Sequence, residues 1–405
     1  MVEPVTAAPP GAGARSPAAT ARIAVTVVFV IHGVLFASWT AHVPQVKAAL
    51  HLTDGQLGLA LLGAPVGSVS AMLVTGALLA RLSSRTVVRV TVVGYSVAGV
   101  LVGLARSLPE LFVALALWGL FQGSLDVSMN TQGVAVEKAL SRPIMGTLHG
   151  SWSIGALSGA GIGVLAVAVG IPLSGQLLVL GVAAVAVASW LATRLLRDVP
   201  SRGNQHIRRR PTRALAVLGA IAFAGLLCEG GTADWAAVYL RDALHTPPAV
   251  AGLGYAAFAL AMVSVRLLGA RLLRRLRPRP LICSLAAVAT VGMATALAVG
   301  NPVLSIIAFG LLGMGLASLI PMLFTAASNQ PNIPPGNAVA AMASIGWAGF
   351  LLGPPLIGFL AGHLSLPVAL AAFPVLTAFI TITAWHTPAL DRARPTSQPH
   401  ATDGD

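Results

Sequence analysis

Few ionisable side chains interrupt the long apolar runs of this chain, and those few are where chemistry would have to happen. Asp126 and Asn130 stand four apart in Asp126-Val-Ser-Met-Asn130-Thr-Gln132, a spacing that puts both on one face of a helix. Gln122 and Glu137 extend roughly the same stripe. A carboxyl and an amide so placed can hold a solute hydroxyl or take up a proton; the plainer alternative is a hydrogen bond between helices. Glu229 and Asp234 lie five apart in another apolar run, and Gly230-Gly231 follow Glu229 directly. A glycine pair permits a kink, and broken helices in transporters free backbone groups for ligands. Glu229 falls near the middle of its run, where a carboxyl suits proton coupling. Asp234 is nearer the end, where it can be solvated.

Two histidines and several tryptophans complete the set. His32 shares a face with Phe36 and Trp39 by its i, i+4, i+7 spacing; a proton relay and a structural hydrogen bond are both open to it. His149 precedes Trp152 and Ser153 by one turn at the start of a run, a position that suits gating or helix packing. Trp39, Trp190, Trp235 and Trp385 fall near run ends, as an interfacial aromatic belt predicts. Trp118, Trp152 and Trp347 fall further in, where they pack or stack on a flat or ring-shaped solute. Arg266 sits close to the end of its run and either snorkels to the interface or pairs with a carboxylate.

Covalent catalysis finds no support in these residues. No His-Glu-x-x-His pattern or acidic metal cluster is present, and no Gly-x-x-x-x-Gly-Lys-Ser/Thr loop that would bind nucleotide. Cys228 and Cys283 lie in different apolar runs and form no disulfide framework. The expectation is a protein that is not an enzyme, with no cofactor and no metal.

The elements that carry these groups must be membrane helices. Of 405 residues, 56% are hydrophobic and only 9% charged, against about 25% charged in soluble domains. The surface must therefore meet lipid. The net charge of +13 is not a nucleic-acid footprint, because the basic residues fall between the apolar runs. Runs long enough to span lie at 22–42, 56–80, 86–105, 110–134, 146–170, 173–195, 214–240, 248–270, 281–299, 303–327, 338–361 and 366–386. Loops on the side of the N-terminus hold Arg81, Arg85, Lys138, Arg142, the Arg194–Arg213 cluster, Arg271–Arg279, Arg392 and Arg394; the opposite loops hold only Lys47, Arg106 and Arg241. Positive loops stay cytoplasmic, so both termini are expected inside, in a multi-pass protein of a bacterial plasma membrane. The expected organisation is a disordered tail over 1–21, six helices over 22–196, a basic linker over 197–213, six helices over 214–386 and a tail over 387–405.

The two halves repeat one hinge. Gly76-Ala-Leu-Leu-Ala80-Arg81-Leu-Ser-Ser-Arg85 and Gly269-Ala270-Arg-Leu-Leu-Arg-Arg275 occupy equivalent places after the second and eighth runs. Six plus six helices, a basic central linker and this repeated hinge resemble the major facilitator superfamily, whose loop typically reads Gly-x-Leu-Ala-Asp-Arg-x-Gly-Arg-Arg. The resemblance implies an all-α membrane fold of twelve transmembrane helices in two pseudo-symmetric six-helix bundles. It also implies that the first, fourth, seventh and tenth helices line a central path. Ala80 and Ala270 stand where an acid is often found, so the charge latch of such loops is absent or rebuilt here. Trp39-Thr-Ala-His42-Val-Pro44, Asp126 to Glu137, His149-Gly-Ser-Trp152-Ser153 and Glu229 to Trp235 look like the fucose-permease-like branch, although His42 replaces a more usual Arg. Gly155, Gly159 and Gly163 in the fifth run, and Gly349, Gly353-Pro354-Pro355 and Gly358 in the eleventh, let helices approach closely.

The function this implies is a monomeric secondary transporter moving a small sugar-like or other polar solute, with protons as the coupling ion and the bilayer as its solvent. The alternative is proton-driven efflux of amphipathic metabolites or drugs. Against that alternative stand the missing proline in the fifth run and Gly119 where an exporter motif carries Arg. Gly76, Arg81, Arg85, Gly269, Arg275, Gly230 and Gly231 are the expected hinge and gating positions.

Overall fold

The computed structural model describes residues 16–142, 144–197, 212–275, 277–331, 333 and 335–393. Twelve helices among them are long and apolar enough to cross a membrane. They are α1 (Pro17–Ala49), α2 (Asp54–Leu79), α3 (Ser84–Leu104), α4 (Leu108–Leu140), α5 (Met145–Ala168), α6 (Leu173–Leu191), α7 (Arg213–Ala243), α8 (Pro248–Leu267), α9 (Pro278–Val299), α10 (Pro302–Ser328), α11 (Ala341–His363) and α12 (Leu366–Trp385). An even number of crossings returns the chain to its starting side. The start of α1, the end of α6, the start of α7 and the end of α12 therefore share one end of the bundle, the terminal end; the opposite one is the distal end.

Short polar residues set the helix starts. Thr53 and Gln56 form a reciprocal capping box at α2, Ser107 accepts from the Glu110 amide at α4, and Asn301 Oδ1 accepts from the Val303 and Leu304 amides at α10. The same chemistry corrects the N-terminal tail: Ser16 caps a helix that begins at Pro17, so residues 17–21 are helical. The C-terminal tail is also partly folded, since Pro388–Ala393 forms a 3-10 turn that buries Leu390. Most of the 197–213 linker lies outside the described residues.

The helix contacts are duplicated. α1 packs along α5 and α7 along α11; α2 packs on α4 and α8 on α10; α3 packs on α6 and α9 on α12. Small residues make the first of these pairings possible. A Cβ at Gly155, Gly159 or Gly163 would run into the α1 backbone at Val30, Val34 or Ser38. Gly349 and Gly353 stand in the same relation to Phe223 and Leu227 of α7. Gly119, at the exporter-type Arg position, is pressed against the Ala64 backbone, which leaves no room for a larger side chain.

The paired glycines of α7 do not break it. The helix runs unbroken over Arg213–Val238, which corrects the kink expected at Gly230-Gly231. Pro354 has no N–H to give to the Phe350 carbonyl one turn earlier in α11, and it is this carbonyl that Gly230 faces. A Cβ there would sit 2.5 Å from Phe350 O. Gly231 makes room for the Phe373 ring, and Trp235 Nε1 donates to Pro354 O at 2.8 Å. These glycines are packing residues opposite a proline-interrupted helix.

The aromatic belt is only half as expected. Trp190 and Trp385 are 63% and 59% exposed, whereas Trp39 and Trp235 are 2% and 0% exposed and belong to the interior.

Candidate functional site

The two halves meet along a seam that is tight at the distal end. Lys47 Nζ, near the end of α1, pairs with Asp54 of α2 at 2.6 Å and with Asp242 at the end of α7. One turn and a half deeper, Ala41 lies against Gly252 of α8, where a Cβ would meet the Ala41 methyl at 3.0 Å. Deeper again, Trp39 Nε1 donates to Asp234 Oδ1 at 2.9 Å. Phe36 then meets Phe350 of α11 with ring centroids 6.1 Å apart. Beside this ladder, Gly58 of α2 and Gly358 of α11 approach so closely that a Cβ on Gly58 would lie 2.6 Å from the Gly358 Cα. Contact between α2 and α11 is concentrated in residues 54–61 of α2. Toward the terminal end, Cβ atoms at Gly76, Gly146 and Gly150 would meet nothing within 4 Å. The molecule is closed distally.

Below the ladder lies a small cleft lined by Trp152 and Ser153 of α5, Glu229 of α7, and Tyr255, Phe258 and Met262 of α8. Arg266 closes it on the terminal side. Its Nη1 donates to Ser153 Oγ at 2.6 Å and its Nε to Ala317 O of α10 at 3.2 Å. Arg266 therefore does not snorkel, and among the described residues it forms no ion pair; it ties α8 and α10 of one half to α5 of the other. Glu229 is half-buried, and among the described residues no hydrogen bond or ion pair within 4 Å engages its carboxylate. Arg266 acts on it, and on His149, only at longer range. His149 is exposed and meets Phe29 edge-on at 5.5 Å.

His32 belongs to the first half alone. Its Nδ1 accepts from Trp152 Nε1 at 2.7 Å, its ring stacks on Tyr95 at 5.6 Å, and Tyr95 stacks in turn on Trp118 at 5.2 Å. The ring of His32 is buried beside the Gln122 backbone, and among the described residues the buried Tyr95 hydroxyl meets no hydrogen-bond partner. Trp118 is thus wall packing, with Trp39 on its other side at 6.3 Å. Trp347 is half open and stands edge-on to Phe350 at 5.5 Å.

The α4 stripe divides by depth. Asn130 Nδ2 donates to Asp126 O at 2.8 Å and to Asp126 Oδ1 at 3.2 Å, so the amide serves the neighbouring acid. Gln122 is half-buried one turn above. Glu137 departs from the stripe's expected role: its Oε2 accepts from the Ile144 and Met145 amides at 2.7 and 3.0 Å and caps the start of α5. Gln132 likewise is structural, donating to Ser84 Oγ and to Leu196 O. Replacing Glu137 with alanine should cost about 1 kcal/mol, the usual value of a helix cap. Thermal unfolding in detergent should register it, with solute preference unchanged.

Among the hinge positions, Arg81 and Arg85 lie at the α2–α3 turn and its far side, with Gly76 in open space. The side chains at Gly269 and Arg275 lie outside the described residues. His42 is not a site residue: its Nε2 meets Gln176 Oε1 at 3.0 Å, and Gln176 Nε2 donates to Ser38 O, locking α6 to α1. Among the described residues no three His, Cys, Asp or Glu side chains converge as a metal site would need.

This duplicated, distally closed bundle of twelve spans has a sequence match to fit it. A model of the Major Facilitator Superfamily matches residues 24–345. The chain belongs to the major facilitator superfamily. This superfamily member is 34% identical over 365 residues to an uncharacterized MFS-type transporter of Yersinia pestis, a match covering 90% of this chain and 94% of the relative. It is 32% identical over 355 residues to the membrane protein MosC of Rhizobium meliloti, covering 86% and 85%. Among solved structures, a D-xylose-proton symporter superposes with a TM-score of 0.69 at 13% identity, covering 92% of this chain and 99% of the symporter. The nucleoside transporter NupG does so at 0.67 and 14%, covering 93% and 99%. Identities this low speak for the fold alone. As a major facilitator, the protein is a multi-pass secondary transporter and not an enzyme.

Proposed function

We propose that this transporter imports a small polar solute of the sugar-like class together with protons, by rocking of the 22–196 half against the 214–386 half. Both termini are then cytoplasmic in a bacterial plasma membrane, and the distal seam is the seal against the outside. Arg81, Arg85, Lys138, Arg142 and the linker arginines support this orientation. The observation that carries the reading is Glu229: a cleft-facing carboxyl that no hydrogen bond or ion pair engages among the described residues, near an arginine that bridges the halves. Such a group can accept a proton or a solute hydroxyl without breaking an existing contact. Asp126, held by Asn130, is a second polar contact on α4.

The experiment begins with thermal-shift screening of the purified protein against sugars, organic acids, amino acids and cationic drugs. The stabilising solute is then used in proteoliposomes with an internal pH dye. Wild-type protein should acidify the lumen on solute addition. Glu229→Gln should lose that signal by at least about tenfold, the scale of a single essential proton site, while solute counterflow persists. Full coupling in Glu229→Gln would remove Glu229 from the mechanism.

The aromatic wall of Phe36, Trp152, Trp347 and Phe350 supports a second reading, proton-driven export of amphipathic solutes. Stabilisation by cationic drugs alone, with none by sugars, would favour it.

A further inference from the structure

The α2–α3 turn borders a groove that has no part in the solute path. α2 and α3 are joined by only four residues, yet they scarcely touch; both lean on α4 instead. Between them runs a channel of about 290 Å³, walled by Ala71, Val74 and Leu78 of α2, by Leu82 of the turn and by Val90 of α3. Leu120 and Phe121 of α4 form its floor. That volume is many times the ~30 Å³ share of one water molecule, and Val74 and Val90 are more than half exposed along it.

Its few hydroxyls are occupied. Ser70 donates to Val66 O, Thr91 to Val87 O, Ser83 and Thr86 share a hydrogen bond, and Ser124 accepts from Thr75. The groove thus offers a hydrocarbon surface and nothing else. Along α2, from Ser70 to Leu78, it is about 12 Å long at 1.5 Å per residue. It extends to Leu78 and Leu82 at the terminal end of the bundle.

The mouth has the opposite character. Arg81 sits at the turn, while Arg85 and Arg89 flank the Thr86–Val90 edge of α3. Arg85 feels the repulsion of both Arg89 and Arg197. No Asp or Glu forms an ion pair with these three arginines among the described residues. Ala80 stands at the place in this loop where a carboxylate would have neutralised them.

We infer that this groove holds an anionic phospholipid of the leaflet adjoining the termini, one acyl chain between α2 and α3 and the phosphate on Arg81, Arg85 and Arg89. The apolar channel and the uncompensated arginines are separate features, and a phospholipid satisfies both at once. A soluble anion would use only the arginines. A zwitterionic lipid would bring its own cation to a positively charged mouth.

The test uses the full chain in detergent with added dioleoylphosphatidylglycerol or dioleoylphosphatidylcholine, read by native mass spectrometry and thermal shift. The phosphatidylglycerol should be retained and should stabilise at lower concentration than the phosphatidylcholine. Arg81→Gln/Arg85→Gln/Arg89→Gln should weaken its binding roughly a hundredfold, since each basic residue near a lipid surface contributes separately. Val74→Trp, which fills the channel and leaves the arginines, should weaken it roughly tenfold by excluding chain methylenes. Arg194→Gln removes a charge at the same end, where Arg194 lies over Trp190, and should change nothing. Should the triple variant prove unstable, Arg89→Gln alone serves as the milder reporter. Unchanged phosphatidylglycerol binding in the arginine variants or in Val74→Trp overturns the site. So does an equal loss in Arg194→Gln, or displacement of the lipid by millimolar inorganic phosphate.

Discussion

Replacing Gly58 with valine is expected to open the distal seal and remove most transport activity while leaving the protein folded in the membrane. The seal between α2 and α11 is backbone against backbone. A Cβ on Gly58 would lie 2.6 Å from the Gly358 Cα, and Gly55 and Gly362 repeat the close approach one turn away. No side chain can rotate to relieve such a clash, so the helices must separate. Overpacking of this kind costs about 1–3 kcal/mol. The cost falls on the distally closed state, because in a rocking transporter these surfaces part when the distal side opens. The closed population should fall by roughly 5- to 150-fold. A cysteine at Ala41, buried between α1 and α8, reports it once Cys228 and Cys283 are replaced by alanine. Labelling by a membrane-impermeant maleimide from the distal side should rise in Gly58→Val, with a smaller rise in Gly58→Ala. Unchanged labelling would mean that the glycine contact does not hold the seal.

The seal illustrates what a chain of this kind discloses in one dimension and what it withholds. The twelve spans, the basic loops and the duplicated hinge follow from composition and spacing, because lipid imposes length and polarity on every helix. Glu229, Asp126 and Trp152 are legible in a weaker sense: an acid or an aromatic ring inside an apolar run stands out. Tyr255 has no neighbouring motif to mark it. Contacts across the seam were not legible. Trp39 reads as interfacial from its place near a run end, yet it donates to Asp234 from a helix 195 residues away. Arg266 reads as a snorkelling residue, yet it bridges to Ser153. Glu137 reads as the next step of a polar stripe, yet the chain turns back and presents two free amides to it. In each case the residue type announced a polar need, and only the pairing of helices decided which partner met it. Gly230 makes the same point for backbone. Its type suggests a break, whereas the Phe350 carbonyl that Pro354 leaves without a donor turns it into a contact.

Lys47→Glu should be the most disruptive single charge change outside the cavity. Lys47 is the sole cation between Asp54 of its own half and Asp242 of the other among the described ion pairs, at 13% side-chain exposure. Its removal leaves two carboxylates facing each other across the seam, and a glutamate makes three. Each partly solvated pair contributes up to about 1 kcal/mol, so Lys47→Ala should shift the distal equilibrium by roughly fivefold. Lys47→Glu, which replaces attraction by repulsion of similar size, should shift it by a further several-fold. The Ala41 cysteine reporter again reads the change as faster distal labelling. Ionic strength separates this latch from the glycine seal. Salt screens partly exposed charges over a Debye length of about 10 Å at 0.1 M, so raising it should speed labelling of the wild type and slow that of Lys47→Ala, where it screens the two facing carboxylates. The decisive variant is Lys47→Asp/Asp242→Lys, which restores opposite charges across the seam with their sides exchanged. Slower labelling in this exchange than in either single variant establishes the latch as electrostatic. Labelling as fast as in Lys47→Asp alone would instead make Lys47 a packing residue whose stem, not its charge, closes the distal end.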